Sequence, residues 1–307
     1  LLGLDTRRIL PDPPPQSKPM SRPRNVARKV ESFPARTPTL PPATHTNSYA
    51  LGGREVLLVE PATPYDDERR AWLAWARAFP SQGRRAVAIV LTHHHPDHVG
   101  GAAFFARELD LPLWAHEKTA ALLPDLRVDR LLAEGDEIAL DGDTPSVLRV
   151  LHTPGHASGH VCLHDAEAGV LVVGDMVASV GTILIPPDDG DMAEYLAQLE
   201  RLAALSADVA LPAHGDPIAE GSGGPSPAAL FRHYVAHRLG REAKVAAALG
   251  GVGPGGASLA ALVPVVYADT PVMVWPIAML SLEAHLLKLE REGRARRAGD
   301  GWAGVAG

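Results

Sequence analysis

The chain has 307 residues, 46% apolar and 21% charged, the balance of a globular protein with room for one large domain or two ordinary ones. With 29 Lys/Arg against 36 Asp/Glu the formal charge is −7, so the surface as a whole is no electrostatic glove for nucleic acid, although a local basic patch fits within it. One cysteine excludes an intramolecular disulfide framework and any multi-cysteine metal cluster, and 14 histidines turn a metal argument toward nitrogen and oxygen ligands.

Residues 1–42 hold ten prolines and eight Lys/Arg against three acidic residues, too proline-broken for a helix and too poor in apolar residues for a core. A proline-rich, flexible lead is expected over 1–43, read as a solvated tail in preference to a nucleic-acid arm. No apolar run of signal-peptide length follows its basic section, and a cytoplasmic location is expected. No stretch reaches the roughly 18 to 20 consecutive apolar residues of a membrane span, so no membrane partner is expected.

From residue 46 the pattern changes. SYAL and REVLLVEPA, divided by Gly52 and Gly53, predict two strands joined by a tight turn. DDERRAWLAWARAF has helical spacing, with Trp72, Trp75 and Phe79 on one stripe. RAVAIVLTH predicts a buried strand, DHVGGAAFFAREL a helix directly after it, and LPLWAH another strand. SVLRVLHT and GVLVVGDMV are further strands, DMAEYLAQLERLAAL is an amphipathic helix, and DVALPAHG is a strand ending at a histidine. Chemically interesting residues recur just past strand ends, where open α/β architectures place ligand sites.

GDPIAEGSGGPSP reads as a linker, which divides the chain into a catalytic unit at 44–218, a linker at 219–227 and a second unit at 228–307. In the second unit FRHYVAHRLGREAKVAAAL, ASLAALVPVVY and VMVWPIAMLSLEAHLLKLEREG predict three helices, and GRARRAGDGWAGV a small basic hairpin: the outline of a winged helix. Val272, Val274, Trp275, Ile277, Met279, Leu280 and Leu282 predict that the third helix buries against a neighbour.

The strongest local signal is THHHPDHVGG at 92–101. A loop leaving the strand AVAIVL can turn His93, His95, Asp97 and His98 toward a common point. His156 in HTPGH, Asp175 in VVGD and His214 in LPAHG each follow an apolar strand in the same way. Five histidines and two aspartates exceed the roughly four ligands of one tetrahedral ion and suit two ions sharing a carboxylate. Any one of these residues is as readily structural as ligating; the repeated strand-then-ligand pattern carries the reading. His94 falls between ligand positions and is expected to face solvent or to support its neighbours. His160 is expected to support a ligand, and Cys162 to be a core residue.

These residues resemble the metallo-β-lactamase superfamily. Its HxHxDH motif stands here as His93-His94-His95-Pro96-Asp97-His98, and its later ligands match His156, Asp175 and His214. The resemblance implies an α+β fold: a four-layer αβ/βα sandwich followed by a small C-terminal winged-helix domain. It further implies two Zn(2+) ions per chain, with Mn or Fe as other divalent options. His93, His95 and His156 would hold the first metal and Asp97, His98 and His214 the second, with Asp175 bridging. A metal-bridging hydroxide would be the nucleophile, and Asp97 would orient it as well as bind metal. HRLGREAKVAAAL and VPVVYADTP are similar to the subgroup with the C-terminal winged helix, which includes an animal endoribonuclease and many bacterial hydrolases. The family's Asp-x-Gly turn is replaced by Glu60-Pro61-Ala62. Glu60 keeps the supporting charge but adds a methylene, and Ala62 removes a glycine free to adopt positive φ. By likeness to the subgroup, Thr46 and Asn47 line the cavity; in the loop GTILIPPDDGD at 181–191, which follows Asp175 closely, Ile183, Leu184 and Ile185 offer an apolar wall, with a structural turn as the equal alternative for both.

The subgroup makes phosphodiester hydrolysis of single-stranded RNA the leading reading, with Arg232, Arg238, Arg241 and Lys244 as a substrate-binding basic patch and Arg294, Arg296 and Arg297 beside it. The charge of −7 and the 5% aromatic content oppose it, because stacking platforms are scarce. The rival is hydrolysis of a small thioester, ester or lactam; HTPGHASGH at 152–160 is similar to the matching stretch of glyoxalase II, a thioester hydrolase. A non-enzymatic winged-helix regulator is a third reading, opposed by the complete ligand set. The expected partners are a small-molecule substrate or single-stranded RNA, and a second copy of the chain in a homodimer through the C-terminal unit.

Overall fold

The computed structural model describes residues 22–220 and 224–305. One sheet takes its strands in chain order: β1 (Arg24–Ala27), β2 (Val30–Arg36), β3 (His45–Leu51), β4 (Glu55–Val59), β5 (Arg85–Val90), β6 (Leu113–His116) and β7 (Arg130–Leu132). The first four are antiparallel; β4 to β7 run parallel. The second sheet is built from β8 (Glu137–Leu140), β9 (Ser146–His152), β10 (Val161–Asp165), β11 (Val170–Gly174), β12 (Val209–Pro212) and β13 (Ile218–Ala219), with β11 and β12 its parallel pair.

The alternation of side chains along each strand explains the layers. In β4 and β5, Leu57, Val59, Ala88 and Val90 face the second sheet and meet Leu148, Val150, Leu163 and Val172. Their neighbours Val56, Leu58 and Ile89 face outward and pack with Phe33 beneath α1 (Asp66–Arg77), whose Trp72 and Trp75 fill that layer. Strands buried on both faces read as continuous apolar runs, as EVLLV and RAVAIV do. On the other side Leu171, Val173 and Cys162 pack against helices that follow in sequence. The result is the expected four-layer sandwich.

The helix expected over DHVGGAAFFAREL is two: α2 (Pro96–Val99) and α3 (Ala102–Leu109), broken at Gly100 and Gly101. A Cβ on Gly101 would lie 2.4 Å from the Phe105 ring and 2.7 Å from the Pro61 carbonyl, so the chain passes there only without one. A short helix, α4 (Glu117–Ala121), follows β6, and α5 (Met192–Ala203) lies on the second sheet, capped by Asp191 accepting from Ala193 and Glu194 N–H.

The lead expected over 1–43 is corrected over its second half, because Arg24–Ala27 and Val30–Arg36 are strands β1 and β2. Pro34 lies opposite Asn47, past Ser32, the last residue of β2 that β1 covers. The Asn47 N–H turns to the Ala213 carbonyl (2.8 Å) and the Pro34 carbonyl accepts from Arg22 (2.9 Å), so a missing donor leaves no gap in the ladder. Residues 1–21, and 221–223 of the expected linker, lie outside the described residues.

The C-terminal unit comprises α6 (Pro227–Gly250), α7 (Leu259–Val266), α8 (Trp275–Arg291) and the hairpin β14 (Ala295–Ala298) to β15 (Gly301–Gly304), a small winged-helix-like domain. Its core gathers Val245, Leu249, Val263, Leu282, Leu286, Leu289 and Trp302. Helix α6 spans both units: Phe231 and Tyr234 belong to the sandwich core, Val245 and Leu249 to the winged helix. The stretch Val272–Arg291 is long and apolar enough to cross a membrane by length and composition. Its buried face is occupied by the core of this small domain, which argues against a span. The burial expected of the whole stretch holds for Leu282; Val272 and Leu280 are exposed because the packed face is Ala278, Leu282, Leu286 and Leu289.

Candidate metal centre

All seven candidate ligands sit at one end of the sandwich. Past β5 the chain passes Thr92 into the histidine run, and α2 begins at Pro96, where the first turn needs no N–H. One helical turn sets Asp97 and His98 side by side. His156 lies in the loop after β9, Asp175 directly follows β11, and His214 follows β12. Because β11 and β12 are parallel, with Gly174 opposite Pro212, Asp175 and His214 emerge together.

His93 Nε2, His95 Nδ1 and His156 Nε2 form a triangle with edges of 3.0, 2.9 and 3.2 Å. Three nitrogens around one tetrahedral zinc at 2.0–2.1 Å stand about 3.3 Å apart, so the triangle is close to the size of one ion's coordination face. Asp97 Oδ2 lies 3.5 Å from His214 Nε2 and 3.8 Å from His98 Nε2. Asp175 stands between the groups: Oδ2 is 3.5 Å from His156 Nε2 and 3.5 Å from His98 Nε2, while Oδ1 is 3.4 Å from His214 Nε2. Asp175 Oδ1 and His98 Nε2 are buried without a hydrogen-bond partner, the state of atoms arranged around a cation instead of each other. The residues present therefore fit two metal ions.

Supporting contacts fix which ring nitrogen points inward. His156 Nδ1 donates to the Leu184 carbonyl (2.7 Å) and His214 Nδ1 to the His45 carbonyl (3.0 Å). His93 Nδ1 pairs with the Thr92 hydroxyl (3.0 Å). Glu60 Oε2 is 3.1 Å from His98 Nδ1, the ring atom opposite the one that faces Asp97 and Asp175. Glu60 thus keeps a carboxylate charge beside His98, as the shorter aspartate would, but without hydrogen-bond geometry, from a backbone at φ 59. The positive φ falls on Glu60 and not on Ala62, so the missing glycine leaves no strain at residue 62. His160 Nε2 accepts from the Asp175 N–H (3.1 Å) and its Nδ1 pairs with the Thr153 hydroxyl (2.8 Å), the support expected of it.

Electrostatics divide the site. Burial, reinforced by the surrounding imidazoles, holds His93 and His156 well below the ordinary imidazole range and pushes His95 down to about 4. At His98 burial also opposes charge, but Asp175, Glu60 and Asp97 outweigh it and raise the pKa well above the ordinary value. His214 is raised by Asp175 against the same burial, and Asp175 is held well below the usual carboxylate range by His214 and His98. The first group is therefore held toward the neutral form that ligates, while His98 and His214 are held toward the protonated form by carboxylates that a cation would also attract.

Other candidates take different places. His94 is half-buried beside His95, its Nδ1 3.7 Å from Asp189 Oδ2, and does not converge on the site. Thr46 bonds Thr37 (2.8 Å), and Asn47 Nδ2 donates to the carbonyls of Pro212 (3.0 Å) and Gly215 (2.7 Å). Both are buried and brace β3, Asn47 against the loop carrying His214. Ile183 and Ile185 are core residues, which leaves only half-buried Leu184 of the expected apolar wall. Cys162 is a core residue, its thiol pushed up to about 12 by burial.

The basic patch is dispersed. Arg238 is 4% exposed and donates to the Ile183 carbonyl. Arg241 and Lys244 both pair with Asp269, at 2.8 and 2.6 Å, and Arg232 donates to the Ala203 carbonyl (3.4 Å). In the hairpin region Arg294 pairs with Glu242 (3.0 Å) and Arg297 stacks on Trp302. The carbonyls of Leu184 and His45 and the loop residue Asp189 were missed from sequence: a backbone carbonyl has no residue-type signature, and Asp189 sits in an acidic loop typical of solvent.

Residues 41–214, more than half of the chain, match the metallo-beta-lactamase superfamily, and residues 258–302 match the beta-lactamase associated winged helix domain. The chain is 31% identical over 264 residues to the beta-lactamase-like protein 2 homolog of Drosophila melanogaster, covering 82% of this chain and 84% of that one. It is 33% identical over 162 residues to thioesterase pkgB of Emericella nidulans, covering 52% of this chain and 42% of the relative. A crystal structure of a metallo-beta-lactamase family protein from Thermus thermophilus superposes with a TM-score of 0.72 at 25% identity, over 90% of this chain and 99% of the other. The chain belongs to the metallo-beta-lactamase superfamily, as a metal-dependent hydrolase with an associated C-terminal winged helix.

Proposed function

We propose that this hydrolase acts on a small acyl substrate, a thioester first among them, with two zinc ions. The observation that carries the reading is the dispersal of the cationic side chains. Arg238 is buried and Arg241 and Lys244 both turn to Asp269, so little of the patch is free to track an RNA backbone. A relative named as a thioesterase and the resemblance of residues 152–160 to glyoxalase II support the same choice.

His93, His95 and His156 would hold one cation, Asp97, His98 and His214 the other, and Asp175 both. Two such ions supply a water acidic enough to lose its proton near neutral pH and positive charge to meet the leaving group. The chain's own residues set the geometry. Asp175 fixes the spacing of the two groups, and Asp97, the most exposed ligand of its group, is placed to orient the attacking water. Water adds to the acyl carbon, the C–S bond breaks, and the sulfur leaves as a thiolate that then takes up a proton.

The test is a zinc-loaded panel of S-lactoylglutathione, p-nitrophenyl butyrate, nitrocefin and a single-stranded RNA, run beside His95→Ala. We expect kcat/KM for the thioester to exceed that for RNA by at least about 100-fold, and His95→Ala to lower it by about 1,000-fold or more. Cleavage of RNA with no thioester turnover, or thioester activity that survives His95→Ala, would contradict the reading.

A further inference from the structure

We propose that Arg238, on helix α6 of the C-terminal unit, is a positioning residue for the first metal group, acting on His156 through the two successive peptides whose carbonyls are those of Ile183 and Leu184. Its guanidinium donates to the Ile183 carbonyl. The next carbonyl, that of Leu184, accepts from His156 Nδ1 at 2.7 Å and so leaves Nε2 bare and aimed at His93 and His95. Two adjacent carbonyls of one short segment thus link a helix of the winged-helix side to a metal ligand.

Arg238 is an expensive choice for simple adhesion. It is 4% exposed, its Nε is buried without a partner, and among the described residues it makes no ion pair with a carboxylate. Its charge is met by the Ile183 carbonyl and by the face of Tyr195, 5.5 Å away. A buried cation without a counter-ion carries a desolvation penalty that an apolar side chain of similar length would avoid. A charge-assisted hydrogen bond holds a carbonyl more firmly than a neutral one, and that is what an orienting peptide needs.

The rest of the loop is anchored separately. Tyr234, one turn earlier on α6, bonds Ala178 at both N–H (3.1 Å) and carbonyl (3.0 Å). Arg291 of α8 pairs with Asp191, whose N–H donates to the Gly155 carbonyl (2.8 Å). Tyr234 holds the same loop without touching residues 183–184, which makes it the control.

The inference rests on the metal-site reading and not on the choice of substrate. Two measurements test it in wild type, Arg238→Met, Arg238→Lys and Tyr234→Phe: nitrogen NMR of the His156 tautomer in the metal-free protein, and zinc affinity by chelator competition. We expect a single Nδ1–H tautomer in wild type, and in Arg238→Met a mixed tautomer with first-site affinity lowered about 10- to 100-fold. Arg238→Lys should recover part of the loss, and Tyr234→Phe should leave both readouts within about twofold. An Arg238→Met protein with unchanged tautomer and affinity, or a Tyr234→Phe protein that loses as much, would overturn the proposal. A wild-type chain that bound no zinc would sink the metal reading, while the tautomer comparison would still decide the role of Arg238.

Discussion

Glu60 shows how one side chain can depart from its family and keep its task. Its backbone stands at φ 59, and the carboxylate lies 3.1 Å from His98 Nδ1, a charge contact without hydrogen-bond geometry. Glu60→Gln keeps the shape and removes the charge, so it separates orientation from electrostatics. We expect the second metal to bind about tenfold more weakly and the first to be unaffected, as read by zinc titration with a chelator. Equal weakening of both sites would show that Glu60 acts on the fold as a whole. The sequence disclosed the seven candidate ligands and this substitution, because residue type and strand context announce them. It did not disclose the Leu184 and His45 carbonyls that hold His156 and His214, since any residue supplies a carbonyl.

Protonation belongs to the same scale. Burial pushes His160 down to about 3 and His116 to about 4, and it lowers His93, His95 and His156 as well. The unfolded chain binds protons at these groups near pH 6.5 while the folded chain refuses them, so stability falls as pH drops from about 6.5 toward 4. His98 and His214, raised in the fold, work in the opposite sense, stabilising it at lower pH and losing that contribution as pH rises through their folded values. His45, His94, His237 and His285 are lowered too, so nine lowered histidines against two raised ones set the net sign. The metal-free protein should lose thermal midpoint steadily from pH 6.5 to 4.5; a flat or rising midpoint would contradict these environments.

At the scale of elements, the strand-end positions of the ligands depend on how each strand stops. Gly174 closes β11 at φ 48, and a Cβ there would stand 2.5 Å from His160 Nε2 and 3.0 Å from the Thr92 hydroxyl. Gly174→Ala must therefore displace the imidazole that accepts from the Asp175 N–H. We expect a loss of about 1–3 kcal/mol in urea unfolding, with impaired metal retention. Unchanged stability would mean that β11 ends in another way. The same scale explains what sequence reading missed. Pro34 concealed β2 because proline in a strand argues against one, and only the pairing shows that it sits where β2 lacks an outer neighbour. Gly100 and Gly101 hid inside an apparent helix because their need is tertiary, set by Pro61 and Phe105.

For the whole molecule, the charge of −7 now has a distribution behind it. Of the arginines that suggested nucleic acid, Arg238 ties the two units together through Ile183 and Arg294 folds the winged helix through Glu242, while Arg291 adds a second tie to Asp191. The four-layer order was legible only through the resemblance that the ligand motif carries; the apolar periods announced the separate strands and helices. The docking of α6 across the sandwich was not, because it follows from which turns of one long helix meet which core. The central claim is that the seven ligands hold two ions. Metal analysis of the protein after zinc loading and desalting tests it directly: we predict two zinc ions per chain in wild type, and loss of the first-site ion in His95→Ala with the fold retained. A wild-type protein that keeps one ion or none would contradict the account.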